Sequence, residues 1–267
     1  MKTIRLIHNL PRSGGTIISK CLAAQKDTIL LSEIHPNGIE IRKKMGLDPI
    51  DFDPIFQCQI WNNLFEKDEY KKISNSDYKF EEKIDLIYEK TESLNKKLVI
   101  RDWAFADYFG KPFTEPKYKN SLLEILNKKY KILNLYVIRH PIKTYLSCYN
   151  FLNFFRSGYD FDFFIKGYRN YFLNASTNNI CIFENFITNP EKSLKKMCDI
   201  LNIDYDINYL NKLKDINLTG DINAVNSVNI HNKDSLTKKK LTEDEIKNQI
   251  ENRPDFIKLM EDLKNYY

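Results

Sequence analysis

Cysteine is sparse and scattered in this chain. Cys21, Cys58, Cys148, Cys181 and Cys198 are odd in number and never form a C-x-x-C pair. Neither a disulfide framework nor a zinc site is expected from them. Four of them sit among apolar neighbours and read as small core residues, and a reducing, cytoplasmic setting fits the set. An uninterrupted apolar run long enough to span a bilayer is also missing. Residues 1–8 read as a strand rather than a signal peptide, because the apolar stretch is short and no small-residue cleavage site follows. No internal repeat and no linker breaks the chain. Nor does charge of one sign dominate: 41 Lys and Arg against 36 Asp and Glu leave a net +5. That is a mild bias toward anionic ligands, too weak to imply nucleic acid. The run Lys238-Lys239-Lys240 reads as solvated surface.

What is present fits one large domain over residues 1–267, near the upper size for a single core. Apolar runs at 4–10, 28–32, 97–103, 131–139 and 180–183 predict strands. They alternate with helix-period stretches at 16–25, 80–94, 121–130 and beyond Pro141. Phe80, Ile84, Ile87, Thr91 and Leu94 step along one helix face. Asn189-Pro190-Glu191 is a helix start, and Thr242 with Glu245 has capping-box spacing. Strand and helix alternating in this way imply an α/β fold with a central parallel sheet covered on both faces. Residues 36–53, with their Pro and Gly, predict loops and short helices that cap the substrate side. The aromatic-rich stretch 145–172 reads as buried helices rather than a stacking platform for bases.

Two strand-to-helix junctions hold anion-binding chemistry. Leu10-Pro11-Arg12-Ser13-Gly14-Gly15-Thr16 follows the first strand and opens the first helix. A Gly-rich turn aims backbone N–H groups inward, the helix N-terminus adds partial positive charge, and Arg12 adds a fork of donors. A plain Gly-Gly turn with a helix cap at Ser13 or Thr16 fits the same letters. The triphosphate-loop pattern G-x-x-x-x-G-K-[ST] is absent, and no lysine precedes Thr16. At the second junction Arg139 leaves a strand at its carboxyl edge, where open α/β folds bind ligands. Ser147 lies eight residues on, about two turns into a Pro-started helix, and an incidental serine is the alternative.

These residues resemble the PAPS-dependent sulfotransferase family, whose phosphosulfate loop reads P-[KR]-[SG]-G-[TG]-T. Pro11, Arg12, Ser13, Gly14 and Thr16 match, and Gly15 stands where a threonine is more usual. The resemblance spans about residues 3 to 235 and is softer outside the two phosphate motifs. It implies a P-loop-like sulfotransferase fold. The implied cofactor is 3′-phosphoadenosine-5′-phosphosulfate (PAPS, leaving PAP), with no metal required. The implied cofactor-binding set is Arg12, Ser13, Gly14, Gly15, Thr16, Ile17, Arg139 and Ser147, the last two gripping the 3′-phosphate.

Sulfuryl transfer to a hydroxyl or amine needs a base. Glu33, in Leu31-Ser32-Glu33-Ile34-His35, stands where the carbohydrate and tyrosyl-protein branches place a Glu. His35 would project the same way if the strand continued. In Ile100-Arg101-Asp102-Trp103, Arg101 is a candidate cation for the sulfuryl oxygens. Asp102 is a second base candidate, an orienter of Arg101 or part of an ion pair. Residues 218–227 resemble a late loop over the nucleotide. Two rivals stay open: a P-loop kinase or NTPase with magnesium on Asp102 and Thr16, and a non-catalytic nucleotide-binding protein on the same frame. The acceptor is a sugar, a lipid, a small metabolite or a tyrosine, and neither a nucleic acid partner nor a membrane span is expected.

Overall fold

The computed structural model describes residues 2–152, 160–175, 179–220 and 242–266. Five strands form one parallel sheet in the order β2-β3-β1-β4-β5. They are β1 (Thr3–Asn9), β2 (Thr28–Ile34), β3 (Lys97–Asp102), β4 (Lys131–Ile138) and β5 (Ile180–Ile182). Each matches an apolar run of the sequence. Their order comes from long-range packing: β1 lies in the middle, with β3 on one side and β4 on the other.

Both faces of the sheet are covered, as a buried parallel sheet requires. Ile7, Leu30, Val99 and Val137 face α1 (Gly15–Ala23) and the helix Pro190–Leu201. On the other face Ile4, Leu6, Leu31 and Ile100 meet α3 (Pro54–Asn62), α5 (Phe80–Ser93) and α7 (Ser121–Leu126). Toward β4 and β5 that face continues as an aromatic core against α8 (Pro141–Phe151) and α9 (Phe161–Leu173). Tyr145, Phe161, Phe164, Tyr168 and Tyr171 are buried there on helices. Helix starts follow the sequence: Asn189 caps the helix from Pro190 by accepting from Lys192 N, and Thr242 with Glu245 closes a capping box. Two expectations shift. The helix from Ser121 stops at Leu126, and Leu94 lies just past the end of α5, exposed. Residues 36–53 form α2 (Gly38–Lys44) and a 3₁₀ turn at Ile50–Phe52.

A polar network crosses the buried sheet. His8 Nδ1 meets Asp102 Oδ2 at 2.6 Å and His8 Nε2 meets Asn134 Oδ1 at 2.9 Å. Asn120 donates to the same Asp102 oxygen while its own Oδ1 caps α7 at Leu123 N. The His8 ring stacks on Tyr136, with centroids 4.4 Å apart. Three strands and a helix start are thereby pinned together around buried His8, Asp102 and Asn120, with half-buried Asn134 at the outer end. Asp102→Asn is expected to lower unfolding stability by about 1–3 kcal/mol, since the oxygen shared by His8 and Asn120 loses its charge and the new amide N–H₂ takes the buried, unpartnered place of Oδ1. Urea titration checks this, with the far-ultraviolet dichroism of the folded state unchanged.

Candidate active site

The carboxyl ends of β1, β2, β3 and β4 open on one edge of the sheet, and every candidate site residue lies in the last residues of one of them or after it. After β1 the chain turns sharply. Ser13 N donates to Leu10 O at 3.2 Å, and Ser13 Oγ donates to the same carbonyl at 2.6 Å. Arg12 (φ 63°) and Gly14 (φ 90°) both take the left-handed conformation. Helix α1 then starts at Gly15 with no side-chain cap, so Ser13 braces the loop and leaves the helix amides to a ligand. Two neighbours explain the glycines. A Cβ on Gly14 would sit 2.1 Å from the Phe183 ring, and one on Gly15 would sit 2.1 Å from the Asn9 side chain. Asn9 thus occupies the space of the side chain that the family's usual threonine would bring.

Arg12 and Ser147 come from motifs far apart in sequence and meet here. Arg12 Nε donates to Ser147 Oγ at 3.1 Å, and its guanidinium lies over Phe151 at 4.7 Å. Arg139 Nη1 donates to the backbone carbonyl of Arg12 at 2.8 Å and stacks over Phe183 at 5.2 Å. The loop, the end of β4 and helix α8 therefore present two guanidiniums, one hydroxyl and an uncapped helix N-terminus together. These donors fit a ligand with two phosphate-type groups: one on the first-turn amides of Gly15, Thr16 and Ile17, another at Arg139 and Ser147. Ile17 contributes only its backbone, because its side chain belongs to the core.

Glu33 reaches this edge through a bulge. β2 and β3 keep register to Leu31↔Ile100, then shift so that Ile34 pairs with Asp102. The extra residue is taken up with Glu33 at φ 56°, which re-aims its side chain. Its Oε1 lies 3.6 Å from Arg101 Nη2, with the side chain 22% exposed and Arg101 only 1% exposed. Arg101 Nη1 donates to Thr16 Oγ1 at 3.1 Å, and Nη2 donates to Ser32 Oγ at 2.7 Å and to Thr219 O at 2.8 Å. Burial lowers the Arg101 pKa, with Glu33 and then Asp102 opposing it. Arg101 is thus the link between Glu33 and the start of α1 rather than an open cation facing a substrate.

Two other base candidates are placed elsewhere. The strand ends at Ile34, so His35 does not project beside Glu33. It turns inward, where its Nδ1 accepts from Asn37 N at 3.0 Å and its Nε2 faces Asp107 Oδ1 at 3.3 Å. With Nδ1 accepting, the ring proton sits on Nε2 toward Asp107, and neither nitrogen is left to take a proton. Asp102 is held by His8 and Asn120 inside the sheet, so it neither orients Arg101 by a hydrogen bond nor joins Thr16, which faces the Arg101 guanidinium. Sequence reasoning missed Asn9 and Ser32, whereas Thr219 belongs to the late loop that it singled out. Asn9 and Ser32 are unremarkable strand residues whose roles come from what packs beside them. Of the late loop, residues 218–220 lie on the site: a Cβ on Gly220 (φ 114°) would be 2.4 Å from Thr16 Oγ1. Residues 221–241 lie outside the described residues.

The tight fit of Gly15 on Asn9 gives an expected outcome. Gly15→Ala should destabilise the fold by about 1–3 kcal/mol through overpacking. The double variant Asn9→Ala, Gly15→Ala should recover most of that loss. Thermal unfolding of the four proteins checks it, and additive losses would contradict the packing.

No family model matches the sequence, and no curated protein matches it. Solved structures do. The sulfotransferase domain from the Synechococcus PCC 7002 olefin synthase aligns with a TM-score of 0.57 at 18% identity, covering 92% of each chain. The sulfotransferase domain from the curacin biosynthetic pathway aligns with a TM-score of 0.57 at 14% identity, covering 94% of this chain and 98% of the other. This chain has the fold of those sulfotransferase domains, a five-stranded parallel sheet between layers of helices.

Proposed function

We propose that this protein, acting as a single domain over residues 1–267, is a sulfotransferase that moves the sulfuryl group of PAPS to a hydroxyl or amine acceptor. The observation that carries the reading is the meeting of Arg12, Arg139 and Ser147 beside the uncapped start of α1. Two anion subsites in one place suit a nucleotide with a 3′-phosphate as well as a 5′-phosphosulfate. The fold likeness supports the same class. All five cysteines are free and buried, in keeping with a cytoplasmic setting.

PAPS would supply an activated sulfur whose leaving group is a phosphate. The residues of this chain do the rest. Arg12 and the amides of Gly14, Gly15, Thr16 and Ile17 hold and stabilise charge growing on the leaving phosphate; preorganised donors of this kind are commonly the largest catalytic term. Arg139 and Ser147 hold the 3′-phosphate and so discriminate against ATP. Glu33 takes the proton of the acceptor as the acceptor atom bonds to sulfur and the sulfur–phosphate oxygen bond breaks. Arg101, anchored on Thr16, Ser32 and Thr219, positions Glu33 against the loop. The kinase alternative loses its magnesium pair here, since Asp102 and Thr16 are engaged separately.

Three outcomes are expected. Calorimetry should give tighter binding of adenosine 3′,5′-bisphosphate than of ADP, with Arg139→Ala removing about 1.5–3 kcal/mol of the preference; equal affinities would overturn the 3′-phosphate assignment. Arg12→Ala should weaken donor binding and slow turnover, and Arg12→Lys should retain more of both, because charge is kept while the fork is lost. Glu33→Gln should cut turnover with labelled PAPS by about 10²–10⁴ while leaving donor affinity nearly unchanged. A Glu33→Gln protein as active as wild type would remove Glu33 from the role of base.

A further inference from the structure

Arg42 is a cation near Glu33 that the reaction as described does not use. It sits in the last turn of α2, with its guanidinium 4.3 Å over the Phe52 ring. Its Nε is buried without a hydrogen-bond partner. None of the described carboxylates is in ion-pair contact with it. Leaving a guanidinium nitrogen shielded from water and unpaired is costly, and an oxyanion is the partner whose geometry suits a guanidinium best.

Its position is built, not incidental. Phe52 packs edge-on against Trp103 with centroids 5.0 Å apart. Trp103 N donates to Ile34 O at 3.0 Å, the residue after Glu33. The fully buried Gln57 clamps the same region to β2. It accepts from Ser32 N at 2.7 Å, and its Nε2 donates to Ser32 O at 2.8 Å and to Asp51 O at 2.6 Å. The 3₁₀ turn carrying Phe52 is therefore fixed to the strand just before the bulge. Arg42, stacked on that ring, is fixed with it. Burial lowers the Arg42 pKa, and among the carboxylates that oppose this Glu33 comes first, ahead of Asp51 and Asp48. Arg42 thus belongs to the α2 and Phe52 segment near Glu33, and not to the loop and strand end that carry Arg12 and Arg139.

We infer that Arg42 binds an oxyanion of the acceptor, so that the molecule sulfated here carries a carboxylate or phosphate near its accepting hydroxyl or amine. The inference rests on the sulfotransferase reading and narrows its substrate to anionic acceptors, seated along Phe52 and Trp103. An Arg42 that served only to balance Glu33 would affect charged and neutral acceptors alike, and this is the difference to measure.

The test has two arms. In the first, labelled PAPS is offered with hydroxy acids of graded spacing, each beside its neutral amide. The acids should be preferred in kcat/KM by about tenfold or more, as for a charge-assisted contact. Arg42→Ala should abolish the preference through KM of the acids, leaving the amides and the KM of PAPS unchanged, and Arg42→Lys should restore part of it. Equal use of acid and amide, or an equal loss for both in Arg42→Ala, overturns the inference. In the second arm, calorimetry follows benzoate and benzamide binding to the protein with and without adenosine 3′,5′-bisphosphate. Benzoate should bind the wild type and lose about tenfold affinity in Arg42→Ala. Benzoate that does not bind, or binds the variant equally well, overturns the inference. A protein that fails to bind the bisphosphate but shows Arg42-dependent benzoate binding would instead overturn the sulfotransferase reading alone.

Discussion

The backbone carbonyl of Arg12 accepts from Arg139, and the side chain of the same Arg12 donates to Ser147. This pair of contacts joins the loop after β1 to the end of β4 and to α8. The candidate site depends on it. A non-glycine residue at φ 63° is held in a conformation that costs on the order of 1–3 kcal/mol unless its surroundings enforce it. Here they do: Arg139 fixes the carbonyl, Phe151 flanks the guanidinium, and the Phe183 ring closes the space beside Gly14. With the loop so held, Ser13 turns back to Leu10 and the first amides of α1 face outward together.

A second strained residue does comparable work on the other side of β1. The bulge at Glu33 adds one residue to β2 and turns a carboxylate toward Arg101. Arg101 is buried, and its terminal nitrogens are taken up by Thr16, Ser32 and Thr219. A guanidinium so placed is tolerated because its charge is paired with Glu33 and its terminal nitrogens are met. The base candidate and the start of α1 are therefore mechanically linked through a single side chain. Residues 218–220 join the same cluster, with Gly220 close to Thr16.

Much of this was legible in the sequence where local chemistry sets the outcome. All five strands follow apolar runs, and the caps at Asn189 and Thr242 form as their residues imply. Arg12 and Ser147 meet across two motifs, although the sequence reading pairs Ser147 with Arg139. What the sequence did not disclose depends on contacts between distant residues. The period-2 rule carried His35 to the side of Glu33, but the bulge breaks that period and His35 turns to Asp107. Asp102 follows Arg101 directly and so sits on the opposite face of β3, where His8 and Asn120 hold it. Gly15 stands where a threonine is more usual, and the Asn9 side chain fills the space beside it from the end of β1. Arg42 stood in a region with no readable motif, and only its stacking on Phe52 and the clamp by Gln57 give it a place.

The central claim is that the two motifs form one site with two anion subsites. A crystal structure of the protein with adenosine 3′,5′-bisphosphate tests it most directly. The account predicts one phosphate on the amides of Gly15, Thr16 and Ile17 with Arg12, and the other between Arg139 and Ser147. A nucleotide bound away from this edge of the sheet, or one whose 3′-phosphate meets neither Arg139 nor Ser147, would contradict it.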